Sequence, residues 1–292
     1  MKNSQLKLLK ENEYSALEPK AWEKEKKFFV SSAGTEYQET VFKKEMLPRG
    51  SALITSSGKL KKEERSIQAI IHAAPGARSR EWEEGLEFQP TLLGITRSIQ
   101  NSIILAERFD YKSITFPFLG SGIFLDKVIS PADETNSDED KKNRKRALAE
   151  EIVKVAVNQM NPSKIKKITF VLWGEEDSQI FSDIISEMRS DAEKGQYSEE
   201  KKEFILLSNI EEEGLSSING SIINWNQHKG DVIVNAANME VQFGKGVSEV
   251  ISGATGQKKE IDDEAKEKIK NYWQNEKEDE TSTQIYMVSP EK

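Results

Sequence analysis

The 292-residue chain has no cysteine and only two histidines, His72 and His228. Disulfides, thiolate metal ligands and cysteine nucleophiles are therefore excluded, and two imidazoles cannot complete a structural zinc site, so no metal is expected. Long apolar runs are missing too, and no window approaches the ~18 consecutive residues of a membrane span. The opening stretch MKNSQLKLLKENEYSALEPK lacks the apolar core of a secretory signal. That predicts a cytoplasmic protein, with translocation as an effector left open. Basic excess is also absent. Fifty acidic residues against 42 basic ones give a net charge of −8, which argues against a general nucleic-acid binder. The residues AVILMFWYC make up 36%, a modest share but enough for a core. The length allows one or two domains at roughly 150 residues each.

What is present is an alternation of short apolar runs with amphipathic stretches. Residues 1–27 are rich in Lys and Glu and read as a helical extension. Ser51–Thr55, Gln68–Ala73 and Ser113–Phe116 read as strands. Leu92, Ile95, Ile99, Ile103 and Ala106 recur at helical spacing, which predicts a helix over 91–108. The stretch 129–146 is polar and without periodicity, and reads as a solvated loop. Leu148, Ile152, Val155 and Gln159 then begin a helical face. Lys167–Trp173 (KITFVLW) is almost wholly apolar, as in a sheet covered on both faces. A helix is expected near 178–189, followed by a linker over 190–203. Beyond it, strands are expected at Phe204–Leu207, Asp231–Asn235 and Gln284–Val288. Helices are expected from Val247 and over about 261–273. Alternating strands and helices predict an α/β fold, a three-layer α/β/α sandwich with a mixed central sheet.

Two segments carry the chemistry. In the first, the buried run Asp231–Asn235 leads through Ala236 and Ala237 to Asn238. The loop Gly244-Lys245-Gly246-Val247 and a helix start follow. Glycines admit close approach of a phosphate to the backbone, and a helix N-terminus offers free N–H groups and positive dipole. Asn235 and Asn238 carry donors and acceptors suited to neutral ribose hydroxyls. Taken alone, the pattern also describes a plain turn and helix cap. The second segment is Phe116-Pro-Phe-Leu-Gly120-Ser121-Gly122-Ile123-Phe124, another strand running into a glycine loop. Two such loops at strand C-terminal ends can cradle a diphosphate. Phe124 would cover a sugar face or simply fill the core.

Together these motifs resemble the macrodomain family, the ADP-ribose-binding fold. DVIVNAAN with the GKGV loop is similar to its first signature and PFLGSGIF to its second. ALITSSGKL, IIHAAPG, TLLGITRSIQNSIILAERF and KITFVLWGEED are similar to its strands and long helix, so the likeness covers roughly 30–290. The order is inverted, because the NAAN strand precedes IIHA in the family and follows it here by more than a hundred residues. Tandem half-domains would each expose a sheet edge and an unburied face. A circular permutation joined through 190–203 avoids this, because termini of compact domains often lie close together. The expectation is one permuted domain over 28–292. Its family C-proximal half would be 28–189 and its N-proximal half 204–292. FFVSSAGTEYQE (28–39) and EVISGATGQKKE (249–260) look like copies of one helix. ALITS (52–56) and IYMVS (285–289) then compete for one strand position, so the surplus copy is either an added edge strand or a dimer contact.

The resemblance implies ADP-ribose, free or attached to a protein, as ligand, with no cofactor. It assigns Asn235 and Asn238 to the distal ribose, Gly244, Lys245, Gly246, Val247 and Ser248 to phosphate and ribose, and Gly120, Ser121, Gly122, Ile123 and Phe124 to the diphosphate. Lys245 would add a cation near the phosphates or stay solvated at the loop rim. Trp173 would stack on adenine or belong to the core. The absent cysteine removes the family's zinc-dependent variants. Where a hydrolytic branch carries an Asp after the loop this chain has Ser248, which neither stabilises an oxocarbenium-like centre nor accepts a proton at neutral pH. A second branch's Asp is replaced by Phe124. The adenine-contacting Asp is unmatched, with Ser221, Asn224 and Asn226 nearest. These departures favour a binding module. The alternatives are a mono-ADP-ribosyl hydrolase using Asn238 with Glu249 or Asp126, and a degenerate interaction module. His72 reads as a satisfied core histidine and His228 as an exposed loop residue.

Overall fold

A computed structural model describes residues 46–47, 49–61, 66–76, 90–122, 124–129, 137–195, 205–206, 213–274 and 285–286. The expected extension 1–27, the copy at 28–39 and Ile123 lie outside them. In chain order the elements are β1 (Ser51–Ser56), β2 (Ala69–Ala74), α1 (Leu92–Arg108), β3 (Ser113–Phe116) and α2 (Leu125–Val128). Then come α3 (Asp138–Gln159), β4 (Lys167–Leu172), α4 (Glu175–Glu193), β5 (Gly214–Asn219) and α5 (Trp225–His228). The chain continues with β6 (Val232–Ala236), α6 (Val247–Thr255), α7 (Lys258–Gln274) and β7 (Ile285–Tyr286).

Seven strands form one sheet in the order β5-β4-β3-β6-β2-β1-β7. The five from β5 to β2 run parallel, and β1 is antiparallel to both β2 and β7, so the sheet is mixed. Strand β6, from the C-terminal part of the chain, is inserted between β2 and β3 from the N-terminal part. Two separate half-sheets are thereby ruled out. ALITS forms β1, and Ile285 and Tyr286, the described residues of IYMVS, pair beside it, with Ala52 opposite Tyr286 and Leu53 opposite Ile285. They are neighbours rather than rivals.

Alternation along the strands divides the core. Ile71, Ala73, Ile114, Phe116, Ile168, Phe170, Val232 and Val234 face α1, α3 and α4, meeting Ile95, Ile99, Ile103, Leu148, Ile152 and Phe181. Ile70 and Ile233 face the other way, toward Ile251 of α6 and Ile261 of α7. Leu53 joins Ala265 and Ile269 of α7. The α7 stripe Ile261, Ala265, Ile269 has the i, i+4, i+8 spacing of one buried helix face. Each fully buried isoleucine contributes about 2 kcal/mol.

Several expectations are corrected. The stretch 129–146 is not all loop, because α3 begins at Asp138. Ser137 caps it by accepting from Asp140 N (3.1 Å), and three acidic residues in its first turn suit the helix dipole. The expected linker 190–203 begins inside α4, which runs to Glu193. Residues 205–206 are helical rather than extended, and Arg189 holds them to β5 by donating to Leu206 O and Leu215 O. The strand at Gly214–Asn219 was not expected at all.

Candidate functional site

Because β5, β4, β3, β6 and β2 are parallel, their C-terminal ends open on one edge of the sheet. That edge carries, in order, Asn219, Trp173, the loop after Phe116, the loop after Ala236, and Pro75. The two glycine loops therefore arise from adjacent strands, paired through Ile114–Val232 and Thr115–Ile233. With strands ~4.8 Å apart, Trp173 and the β6 end are separated by about 10 Å across the sheet. The structure thus brings the expected binding segments to one edge.

The β3 loop is anchored from beneath. Phe118 stacks edge-on against Phe181 (4.9 Å), which in turn meets Phe170. Ser121 Oγ donates to Phe118 O (3.1 Å). Gly120 has φ +82°, and a side chain there would strike Ile95 Cδ1 at 2.3 Å. Only glycine meets both demands. Gly122 by contrast faces open space.

The β6 loop is built in layers. Asn235 is fully buried, and its Nδ2 donates to His72 Nδ1 (3.1 Å) while Oδ1 has no partner among the described residues. Asn238 is half-buried, and its Oδ1 accepts from Gln242 N (3.2 Å). Its own Nδ2 makes no hydrogen bond among the described residues. Phe243 is held from α7, since its N–H donates to Asp262 Oδ1 (3.4 Å) and its carbonyl accepts from Lys258 Nζ (3.3 Å). Burial raises the Asp262 carboxyl above its ordinary value. Gly244 and Gly246 both face open space, and Gly246 takes φ +71° just before α6. No side chain caps that helix at Gly246. Lys245 is exposed between the glycines.

Of the three catalytic candidates, Asn238 belongs to the β6 loop just described, and Asp126 and Glu249 are placed differently. Asp126 accepts from Arg144 Nη1 (2.6 Å), and Arg144, only 4% exposed, also binds buried Asp140 (2.7 Å). Burial opposes the guanidinium charge, but these two carboxylates hold its pKa above the ordinary value. Asp126 therefore anchors α2 to α3. Glu249 is exposed on the first turn of α6 and makes no ion pair among the described residues. Ser248 is buried and accepts from Gly244 N (3.1 Å), closing the loop from inside.

Trp173 does not belong to the core. It stands past the end of β4 and is 80% exposed. Phe124 is partly buried at the start of α2. Ser221 N donates to Gln227 Oε1 (2.9 Å). His72 is the satisfied core histidine expected, with Nε2 2.8 Å from Thr55 Oγ1 and its ring edge-on to Phe243 at 5.4 Å. His228, expected to be exposed, is fully buried. It accepts from Gly230 N at Nδ1 (2.9 Å), and its Nε2 lies 2.9 Å from Ile222 O. Burial lowers the two pKa values to about 3 and about 4 respectively.

Sequence reasoning missed the supporting residues. Arg144 left a readable trace, an i, i+4 pair with Asp140, whereas Asp262, Lys258 and the His72–Asn235 bond join residues far apart in the chain and left none. Among the described residues no group of three or more His, Asp and Glu could hold a metal ion, and no helix is long and apolar enough to cross a membrane.

The family model Macro domain matches residues 26–128, about a third of the chain, from ahead of β1 through the β3 loop and α2. That stretch is similar to the macrodomain family, whose members generally bind ADP-ribose, and the α/β fold with its mixed sheet is consistent with the likeness. The β6 loop lies outside the match. No curated protein and no solved structure matches the chain.

Proposed function

We propose that the chain binds ADP-ribose, free or attached to a protein, across the sheet edge formed by the β3 and β6 loops. The observation that carries this reading is the pairing of two glycine loops on adjacent parallel strands, one of them leading into an uncapped helix. The diphosphate would lie over Gly120–Gly122 and Gly244–Val247, where free N–H groups and the dipole of α6 oppose its charge. Lys245, exposed between the two glycines, supplies a local cation. Adenine would stack on Trp173, and the distal ribose would meet Nδ2 of Asn238, with the carbonyl of Asn235 beneath it.

Binding without hydrolysis is the reading the residues favour. Asp126 is engaged by Arg144, and Ser248 is buried under its own loop. A mono-ADP-ribosyl hydrolase is the second reading, favoured by one observation, the carboxylate of Glu249, exposed and without an ion pair among the described residues. A degenerate domain acting through protein contacts is the third. The insertion of β6 between β2 and β3 further supports a single domain permuted within the chain, with β7, the last strand of the sheet among the described residues, as the edge a second copy would join.

Titration of the chain with ADP-ribose, beside release of label from a mono-ADP-ribosylated protein, tests the assignment. Saturable binding without release supports the module, and release that depends on Glu249 would transfer the conclusion to the hydrolase. No heat at millimolar ligand would sink both.

A further inference from the structure

The buried amide of Asn235 has its two ends in unequal circumstances, Nδ2 bonded to His72 and Oδ1 without a partner among the described residues. The hydrogen-bond chain behind it explains which end faces which way. Thr55 Oγ1 lies 3.2 Å from Ser56 O and 2.8 Å from His72 Nε2, and with its one proton given to that carbonyl its oxygen accepts from Nε2, the arrangement that agrees with the Asn235 NH2 end lying on Nδ1. Nε2 therefore carries the ring proton and Nδ1 is the acceptor. An acceptor at Nδ1 requires the NH2 end of Asn235. Asn235 stands one residue before the end of β6, next to the edge where the candidate site begins, and its carbonyl is the end of the amide not bonded to His72. His72 and Asn235 are direct partners in the β2–β6 register, so the strands themselves hold the two side chains together.

We infer that His72 is a positioning residue, fixing the Asn235 carboxamide so that the site presents a buried acceptor and selects a ligand that brings a hydroxyl donor. This rests on the reading of the edge as an ADP-ribose site, and the donor is then a ribose hydroxyl. A buried carbonyl without a partner is costly, and a hydroxyl that reaches it gains more than one meeting an exposed acceptor. The neutral ring keeps this polarity at working pH. The charges that act on it, Glu264 and Lys268 of α7, pull in opposite directions, and burial is the largest influence on its protonation.

The test has two arms. In the ligand-free wild-type chain, two-bond proton–nitrogen NMR of His72 reads the tautomer directly, without reference to any ligand. Protonation at Nε2 is expected, and protonation at Nδ1 overturns the inference. In the second arm, ADP-ribose and its analogue lacking a distal-ribose hydroxyl are titrated into wild type, His72→Asn and His72→Gln. Asparagine places an oxygen near the Nδ1 position and glutamine near Nε2, so only the former keeps the acceptor for Asn235. Wild type and His72→Asn should prefer the hydroxylated ligand about tenfold. His72→Gln should lose that preference while still binding. Equal preference in all three, or equal loss in both variants, contradicts the positioning role. Absence of ADP-ribose binding in the wild type defeats the functional reading alone, and the tautomer still decides the His72–Asn235 relation.

Discussion

Acidification should destabilise the fold through its two buried imidazoles, by an amount the structure specifies. His72 and His228 are fully buried and neutral, with pKa values lowered by desolvation to about 3 and about 4 from an ordinary 6.5. The unfolded chain therefore binds more protons than the folded one between pH 6.5 and these lower values, and stability falls as pH falls through that window. At pH 5.5 each ring costs about 1.4 kcal/mol relative to pH 8, so the pair costs about 2.8 kcal/mol. Urea unfolding followed by tryptophan fluorescence at a series of pH values from 8 to 5.5 measures this. His72→Leu removes one titrating group, so its stability, although lower throughout, should fall by only about 1.4 kcal/mol over the same range. A flat profile in the wild type, or the same pH slope in the variant, would refute the claim that these rings are held neutral.

Three further outcomes follow from the site. Asn238→Ala removes the half-buried amide of the β6 loop and should weaken ADP-ribose binding at least tenfold by calorimetry, with little change in melting temperature. Gly246→Ala forces a side chain into φ +71°, so it should cost about 1–2 kcal/mol in urea unfolding and lower affinity as well. Arg144→Leu strands the buried Asp140 carboxylate and frees Asp126, and a loss of about 3 kcal/mol is expected by the same measurement. No change there would mean that α2 and the β3 loop are held by packing alone.

The elements legible in the sequence were those whose burial is two-sided or strictly periodic. KITFVLW and SITF announce central strands, and the isoleucines of α1 announce one buried face. The edge strand GLSSIN escaped because an edge needs few apolar side chains, and two serines and a glycine disguise it. The start of α3 was missed because its first turns face solvent, so no apolar stripe marks them. The sign that was there is local, Ser137 three residues ahead of Asp140 with acidic residues between, a pattern that caps a helix. Trp173 was ambiguous because the alternation of β4 ends with the strand, and nothing local says whether the next residue is covered. Both glycine loops and Asn235 could be read from their motifs. The environment of His228 could not, since it depends on Thr115, which lies over a hundred residues away and comes beside it only when β3 pairs with β6.

Calorimetric titration of the full chain with ADP-ribose tests the central claim most directly. Saturable heat at one ligand per chain, reduced at least tenfold by Asn238→Ala, is the predicted result. A wild-type chain that gives no heat with millimolar ADP-ribose would contradict it.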